Sequence, residues 1–271
     1  MKLFRLVFAA ALTAFSVSMV APAAEVAELR QGDLEFLGGF ETLHSLGFTP
    51  DDVAYNPQGG RLLVTASADS GVGARGVFEV AQDGRLVDAF TLPEPSATVG
   101  LLGFSITRVS AGPRVGNYFM ADFNGLPTVT VFEFDPTFTI VNRFPLTGSA
   151  SPGDAIAFNH LTQHLLVPDG GTNEMIEITT SGELVRRSNR NVHANGIAFN
   201  QSTGTYFIVS GGLAEMSTDG EQLRTFDLTP FGIRGAVGVA YGQGKLFIAD
   251  EGEPANSSGA IYIFRSPRRS H

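Results

Sequence analysis

Ile197-Ala198-Phe199-Asn200 is a short apolar run closed by an asparagine, and the chain repeats it as Val53-Ala54-Tyr55-Asn56, Ile156-Ala157-Phe158-Asn159 and Val239-Ala240-Tyr241-Gly242. Phe158, Phe199 and Tyr241 are spaced by 41 and then 42 residues, and Tyr55 precedes Phe158 by 103, about two units with one enlarged. A period of roughly 40–45 residues is that of β-propeller blades. A β-sandwich also accounts for short apolar runs but gives no reason for a recurring phrase.

Working outward from each phrase, runs rich in Val, Ile, Phe and Tyr alternate with Gly, Asp, Asn and Pro, the signals of strands and turns. The first unit reads as Val53–Tyr55, Arg61–Ala66, Gly76–Val80 and Leu86–Leu92. The second, without the phrase, reads as Phe104–Val109, Asn117–Ala121, Thr128–Phe134 and Thr139–Phe144. The third is Ala155–Phe158, His164–Val167, Met175–Ile178 and Leu184–Arg187, and the fourth Gly196–Phe199, Thr205–Val209, Leu213–Met216 and Leu223–Leu228. Asp83-Gly84 and Asp219-Gly220 supply the positive φ that tight hairpins need. The last unit has only Val237–Tyr241, Lys245–Ala249 and Ala260–Phe264, while Asp33–Thr42 is a spare strand at the other end. Open sheet edges invite stray pairing, so the spare strand is expected to complete the last blade. The fold class is all-β, a propeller of five four-stranded blades, with six as the alternative.

Lys2 and Arg5, the apolar stretch Leu6–Val20 and the small residues Ala21-Pro22-Ala23-Ala24 have the layout of a signal peptide. Residues 1–24 are therefore expected to be removed, leaving 25–271 as one propeller domain in the periplasm or outside a bacterial cell. Cysteine is absent, which excludes disulfides and thiol chemistry. The net charge of −9 argues against nucleic acid as a partner, since phosphate binding needs a basic surface. No later segment is apolar for long enough to span a membrane, and a monomer is expected.

Gly71-Val72-Gly73-Ala74-Arg75-Gly76 matches a dinucleotide fingerprint but lies between two strands with no helix after it. The serine hydrolase elbow, the zincin motif and the P-loop are missing. The repeat itself selects the candidates. In a propeller the residues just before the first strand of each blade, and just after the second, converge on one mouth of the channel. The first group is Asp51, Asp154, Asn195 and Val237, with Asp52 beside Asp51; the second is Asp69, Asp122, Asp169, Ser210 and Asp250, with Asn124 and Glu251 adjacent. Oxygen donors gathered in this way suit a hard divalent cation, Ca²⁺ first. Asp51, Asp154 and Asn195 are the candidate ligands, and His193 and Asp154 the candidate acid–base groups. Each Asp or Asn taken singly is also an ordinary turn and cap residue.

His193-Ala194-Asn195-Gly196-Ile197-Ala198-Phe199-Asn200 followed by Tyr206-Phe207-Ile208-Val209 resembles the senescence-marker/gluconolactonase/luciferin-regenerating propellers and the NHL-repeat propellers, as does Val237–Tyr241 followed by Leu246-Phe247-Ile248-Ala249-Asp250. The resemblance implies a divalent metal in the channel, with Asn195 as a ligand and Asp51 or Asp52 in the place of a first-blade carboxylate. It also implies an aspartate after the second strand of the fourth blade, where this chain has Ser210. The function expected is hydrolysis of a small lactone or ester through metal-activated water; the alternative is a binding or scaffold propeller for a protein or glycan.

Overall fold

The computed structural model describes residues 30–31, 34–41, 43–68, 75–91, 104–122, 129–146, 155–169, 171–188, 193–252 and 259–266. The expected signal segment lies outside them. In chain order, β1 (Arg30–Gln31) and β2 (Leu34–Phe40) precede blade 1, which is β3 (Phe48–Asn56), β4 (Arg61–Ala68), β5 (Arg75–Val80) and β6 (Leu86–Thr91). Blade 2 is β7 (Phe104–Arg108), β8 (Tyr118–Asp122), β9 (Thr130–Phe134) and β10 (Ile140–Pro145). Blade 3 is β11 (Ala157–Asn159), β12 (His164–Asp169), β13 (Glu174–Thr179) and β14 (Leu184–Ser188). Blade 4 is β15 (Gly196–Asn200), β16 (Thr205–Val209), β17 (Leu213–Met216) and β18 (Gln222–Phe226). Blade 5 is β19 (Ala236–Gly242), β20 (Lys245–Asp250) and β21 (Ala260–Arg265), closed by β2 and then β1 in the order β1-β2-β21-β20-β19. The chain is thus a five-bladed propeller, and the N-terminal strand completes its last blade, with Phe36 opposite Phe264 and Phe40 opposite Ile261.

The recurring phrase makes the innermost strand. Its terminal asparagine is buried, and its side-chain oxygen accepts the main-chain N–H two residues on: Gln58 from Asn56, Leu161 from Asn159 and Ser202 from Asn200, each at 3.0 Å. That bond builds the turn into the second strand. Blade 5 has Gly242 there, and a Cβ would lie 2.0 Å from the Tyr55 ring of blade 1, so only glycine fits.

Five apolar clusters fill the five spaces between neighbouring blades. Val53 faces blade 5 and Ala54 faces blade 2, because successive side chains of a strand point to opposite faces. The second strands are likewise apolar on both faces, which is why Leu165-Leu166-Val167 and Leu246-Phe247-Ile248-Ala249 run unbroken. The outer strands carry a different device. In every blade the outermost full pairing slips by one residue, at Val87, Val141, Val185, Leu223 and Leu37. Such bulges blunt an edge strand against pairing with another chain.

A glutamate recurs beside four of these bulges, in the third strand: Glu79, Glu133, Glu177 and Glu215. Each is paired with an arginine, namely Arg61, Arg114, Arg186 and Arg224. Two of those arginines also reach the hairpin of the next blade, Arg114 to Thr180 O and Arg186 to Thr218 O. Blade 5 has Ile263 in place of the glutamate, and Lys245 instead bonds Gln82 of blade 1 at 2.7 Å.

Candidate functional site

Five residues at or next to the five inner strands hold the same place in the repeat: Asp52, Ser105, Ala155, Gly196 and Gly238. Each stands one residue before the Val or Ile at positions 53, 106, 156, 197 and 239 and lies against the next blade. Gly196 and Gly238 are required by close approach. A Cβ on Gly196 would lie 2.7 Å from Gly238 Cα, and one on Gly238 would lie 2.5 Å from Asp52 Oδ1 and 2.6 Å from Asp52 Cα.

Where the ring has side chains, they tie one strand to the next. Asp52 Oδ2 accepts the Ser105 hydroxyl at 2.5 Å and the Ile106 N–H at 3.0 Å. Ser105 Oγ in turn accepts the Ile156 N–H at 2.7 Å, and Thr107 Oγ1 the Phe158 N–H at 3.0 Å. Asp52 is 1% exposed and its Oδ1 has no hydrogen-bond partner. Burial pushes the carboxyl up to about 8, against the opposing pull of the Ser105 and Ile106 hydrogen bonds. At neutral pH Asp52 is therefore a neutral acid sealed into the ring.

Asp51 is turned elsewhere. The β3–β4 register slips between Pro50 and Asp52, and the displaced Asp51 accepts the Ser67 hydroxyl at 2.6 Å within its own blade. Val237 occupies the corresponding slip in blade 5. After the second strands, Asp169 and Asp250 are buried turn caps. Asp169 Oδ1 accepts Gly171 N–H at 3.0 Å; Asp250 Oδ1 accepts Gly235 N–H at 2.8 Å and Gly252 N–H at 3.3 Å. Burial raises the Asp250 carboxyl above the usual range. Glu251 follows it at the surface. Asp122 ends β8; Asp69, Asn124 and Asp154 lie outside the described residues.

Blade 4 differs from the others. The ladder between β15 and β16 runs past Gly196, with Asn195 N–H donating to Val209 O at 2.8 Å. Ala194 is 3% exposed and packs into the core. On either side of it His193 is exposed and Asn195 half-buried. His193 Nδ1 lies 3.1 Å from Ser210 Oγ, and both residues are exposed. Three of the candidates named from the sequence, His193, Asn195 and Ser210, are thus brought together. Ser105, Ser67 and Gly238 were not singled out, although Ser105 shares the phase of Asp52 in the repeat.

The described residues do not by themselves fit a divalent cation. No three or more His, Asp or Glu side chains gather among them. Asp51 is engaged by Ser67 and Asp52 faces into the ring, which leaves Asn195 as the described candidate whose side chain carries no hydrogen bond among the described residues.

No family model matches the chain, and no curated protein matches it in sequence. Solved structures do match. A gluconolactonase from Xanthomonas campestris is 15% identical, with a TM-score of 0.55 over 92% of this chain and all 100% of that one. A luciferin-regenerating enzyme is 14% identical over 81% of this chain and 78% of its own, with a TM-score of 0.48. A virginiamycin B lyase from Staphylococcus aureus is 14% identical over 86% and 98%, with a TM-score of 0.45. The chain is a β-propeller that shares its fold with the gluconolactonase.

Proposed function

We propose that the chain is an exported propeller that hydrolyses a small ester or lactone at the loop-face mouth of its channel. The observation that carries this reading is the contact between His193 Nδ1 and Ser210 Oγ, 3.1 Å apart on adjoining strands with Asn195 beside them. An exposed imidazole is a competent acid or base. The carboxamide of Asn195, which carries no hydrogen bond among the described residues, is a donor for a substrate oxygen. The gluconolactonase of the same fold is named for a lactone, which is why lactones head the substrate class. The acidic balance of the chain favours a neutral small molecule over nucleic acid.

The test is a panel of lactones and p-nitrophenyl esters, assayed with the wild type and with His193→Ala. Hydrolysis by the wild type that falls on the order of 100-fold in the variant is the expected result. A wild-type rate equal to that of buffer across the panel overturns the reading. The cation is tested separately, by calorimetric titration of Ca²⁺, Mg²⁺, Mn²⁺ and Zn²⁺. Heat that disappears in the Asp154→Ala/Asn195→Ala double variant would assign one to the mouth.

A second reading is a binding propeller that offers its loop face to a protein or glycan. It is favoured by Asp51, Asp169 and Asp250, whose carboxylates are spent on local hydrogen bonds. A partner recovered from periplasmic extract together with an inactive panel would decide for it.

A further inference from the structure

Ser210 departs from the other residues at its position in the repeat. Asp169 and Asp250 end the second strands of their blades, and each spends a side-chain oxygen on main-chain N–H groups, of Gly171 for Asp169 and of Gly235 and Gly252 for Asp250. A serine hydroxyl can close the same kind of turn. Ser210 does not do so: its Oγ meets the imidazole of His193 on the adjoining strand, and the turn is closed instead by Ser210 N–H donating to Gly212 O at 3.0 Å.

The surroundings leave that hydroxyl open. Ser210-Gly211-Gly212 is the whole connection between β16 and β17. Gly211 has a φ of 68°, and a Cβ there would meet nothing within 4 Å; at Gly212 the nearest atom would be Phe226 O at 3.9 Å. No side chain screens the approach to Ser210 from these two positions. The Gly211 N–H has no acceptor among the described residues. The serine and the histidine are also held by backbone, since the β15–β16 ladder fixes the two strands and buried Ala194 anchors the residue between His193 and Asn195.

We infer that Ser210 is a covalent nucleophile, with His193 as its base, and that it takes the acyl group of a small ester or lactone. This rests on the hydrolase reading above and adds an acyl-enzyme to it. His193 Nδ1 accepts the Ser210 proton as Oγ bonds to the carbonyl carbon, and the carbonyl π electrons move onto oxygen. The Asn195 carboxamide and the Gly211 N–H are the donors available to that oxyanion. Collapse breaks the bond to the alkoxy oxygen, which takes the proton back from His193. In a lactone the alcohol so formed stays attached to the acyl chain. Water then attacks the acyl carbon, gives its proton to His193, and Ser210 leaves with that proton restored.

The experiment is labelling of the folded wild type with a fluorophosphonate, read by intact mass and peptide mapping, with the substrate panel run alongside on Ser210→Ala. One phosphonyl adduct on the Ser210 peptide, absent from Ser210→Ala and from heat-unfolded wild type and slowed on the order of 100-fold in His193→Ala, is the expected result. No adduct on Ser210 of the wild type overturns the inference, and this measurement does not depend on any variant folding. An active wild type whose rate Ser210→Ala retains also overturns it, and leaves hydrolysis by direct water attack standing. An adduct without turnover of any panel member upholds the nucleophile and removes the substrate reading instead.

Discussion

Ser105 Oγ donates to Asp52 Oδ2 at 2.5 Å and at the same time accepts the Ile156 N–H at 2.7 Å, so one hydroxyl joins the inner strands of three blades. The carboxyl at the end of this relay is buried, with its other oxygen unpartnered. Its neighbours across the ring, Ser105, Ile106, Val53 and Gly238, carry no charge, and Asp51 is the charge that adds to its burial in raising it.

A pH dependence follows from that carboxyl. Its pKa is about 8 in the folded chain against 3.8 for an ordinary aspartate. The folded state thus holds the proton more tightly, and the stabilisation is fully present below about pH 4. It is lost as pH rises, by about 1.4 kcal/mol per unit until the folded pKa is passed. Asp52→Asn has no charge to bury. Its unfolding free energy relative to wild type should grow from pH 4 to pH 8 and level off above, as read by urea denaturation. A difference that stays flat across that range would show that Asp52 is ionised in the fold.

The relay can be cut from the serine side. Ser105→Ala leaves the Ile156 N–H without its acceptor and removes a donor from Asp52, both in a buried setting. A lost partner of this kind costs about 1–3 kcal/mol. Gly238→Ala probes the same ring by overfilling it, since its Cβ would fall 2.6 Å from Asp52 Cα, a backbone atom that cannot swing away. A cost of about 1–3 kcal/mol or more is expected. An unchanged urea midpoint in either variant would mean that the inner strands are not packed as described.

The propeller was legible because its repeat is carried by local chemistry: an asparagine that builds the inner turn of blades 1, 3 and 4, and glycines at the hairpin tips of the same three blades. The closing strand was legible from a count that left one blade short. The site was read less well, and the miss has a size of one residue. Asp51 has the right phase, but a bulge at that point turns it to Ser67 and puts Asp52 into the ring. Bulges have no single-sequence signature, and a slip of one residue exchanges the two faces of a strand. The glutamates of the third strands were in phase and visible. They passed unnoticed because their arginine partners come from different strands, Arg61 from a second strand and Arg186 and Arg224 from fourth strands.

The pair of Glu215 and Arg224 predicts an asymmetry between single and double substitutions. Glu215 is 1% exposed; it accepts Arg224 at 2.5 Å and the Thr205 hydroxyl at 2.7 Å. Arg224→Met removes the counter-charge and leaves the carboxylate buried, at a cost of about 3 kcal/mol. Adding Glu215→Met removes the stranded charge and should restore much of the loss, because apolar replacement of a buried pair is often neutral. Thermal unfolding of the two variants checks this. A double variant less stable than Arg224→Met would show that the carboxylate is no liability without its arginine and that its bond to Thr205 still stabilises the blade.

Phe138 takes the turn position that glycine holds elsewhere. Gly84, Gly182 and Gly220 have φ of 83°, 92° and 81°, and Phe138 has a φ of 60°. The left-handed conformation costs a residue with a Cβ about 1–2 kcal/mol. The ring offsets this by stacking on Phe90 at 4.3 Å and on Tyr118 at 5.0 Å, where it is 7% exposed between blades 1 and 2. Removing a buried phenylalanine ring costs about 3–5 kcal/mol, so packing outweighs strain and both truncations should destabilise. Their order is the sharper test. Phe138→Ala keeps the strained backbone and loses the ring, whereas Phe138→Gly loses the ring but relieves the strain. The glycine variant should therefore be the more stable, by about 1 kcal/mol. That order is the reverse of the one expected in ordinary backbone. Alanine more stable than glycine in chemical denaturation would mean that the turn of blade 2 does not hold Phe138 at positive φ.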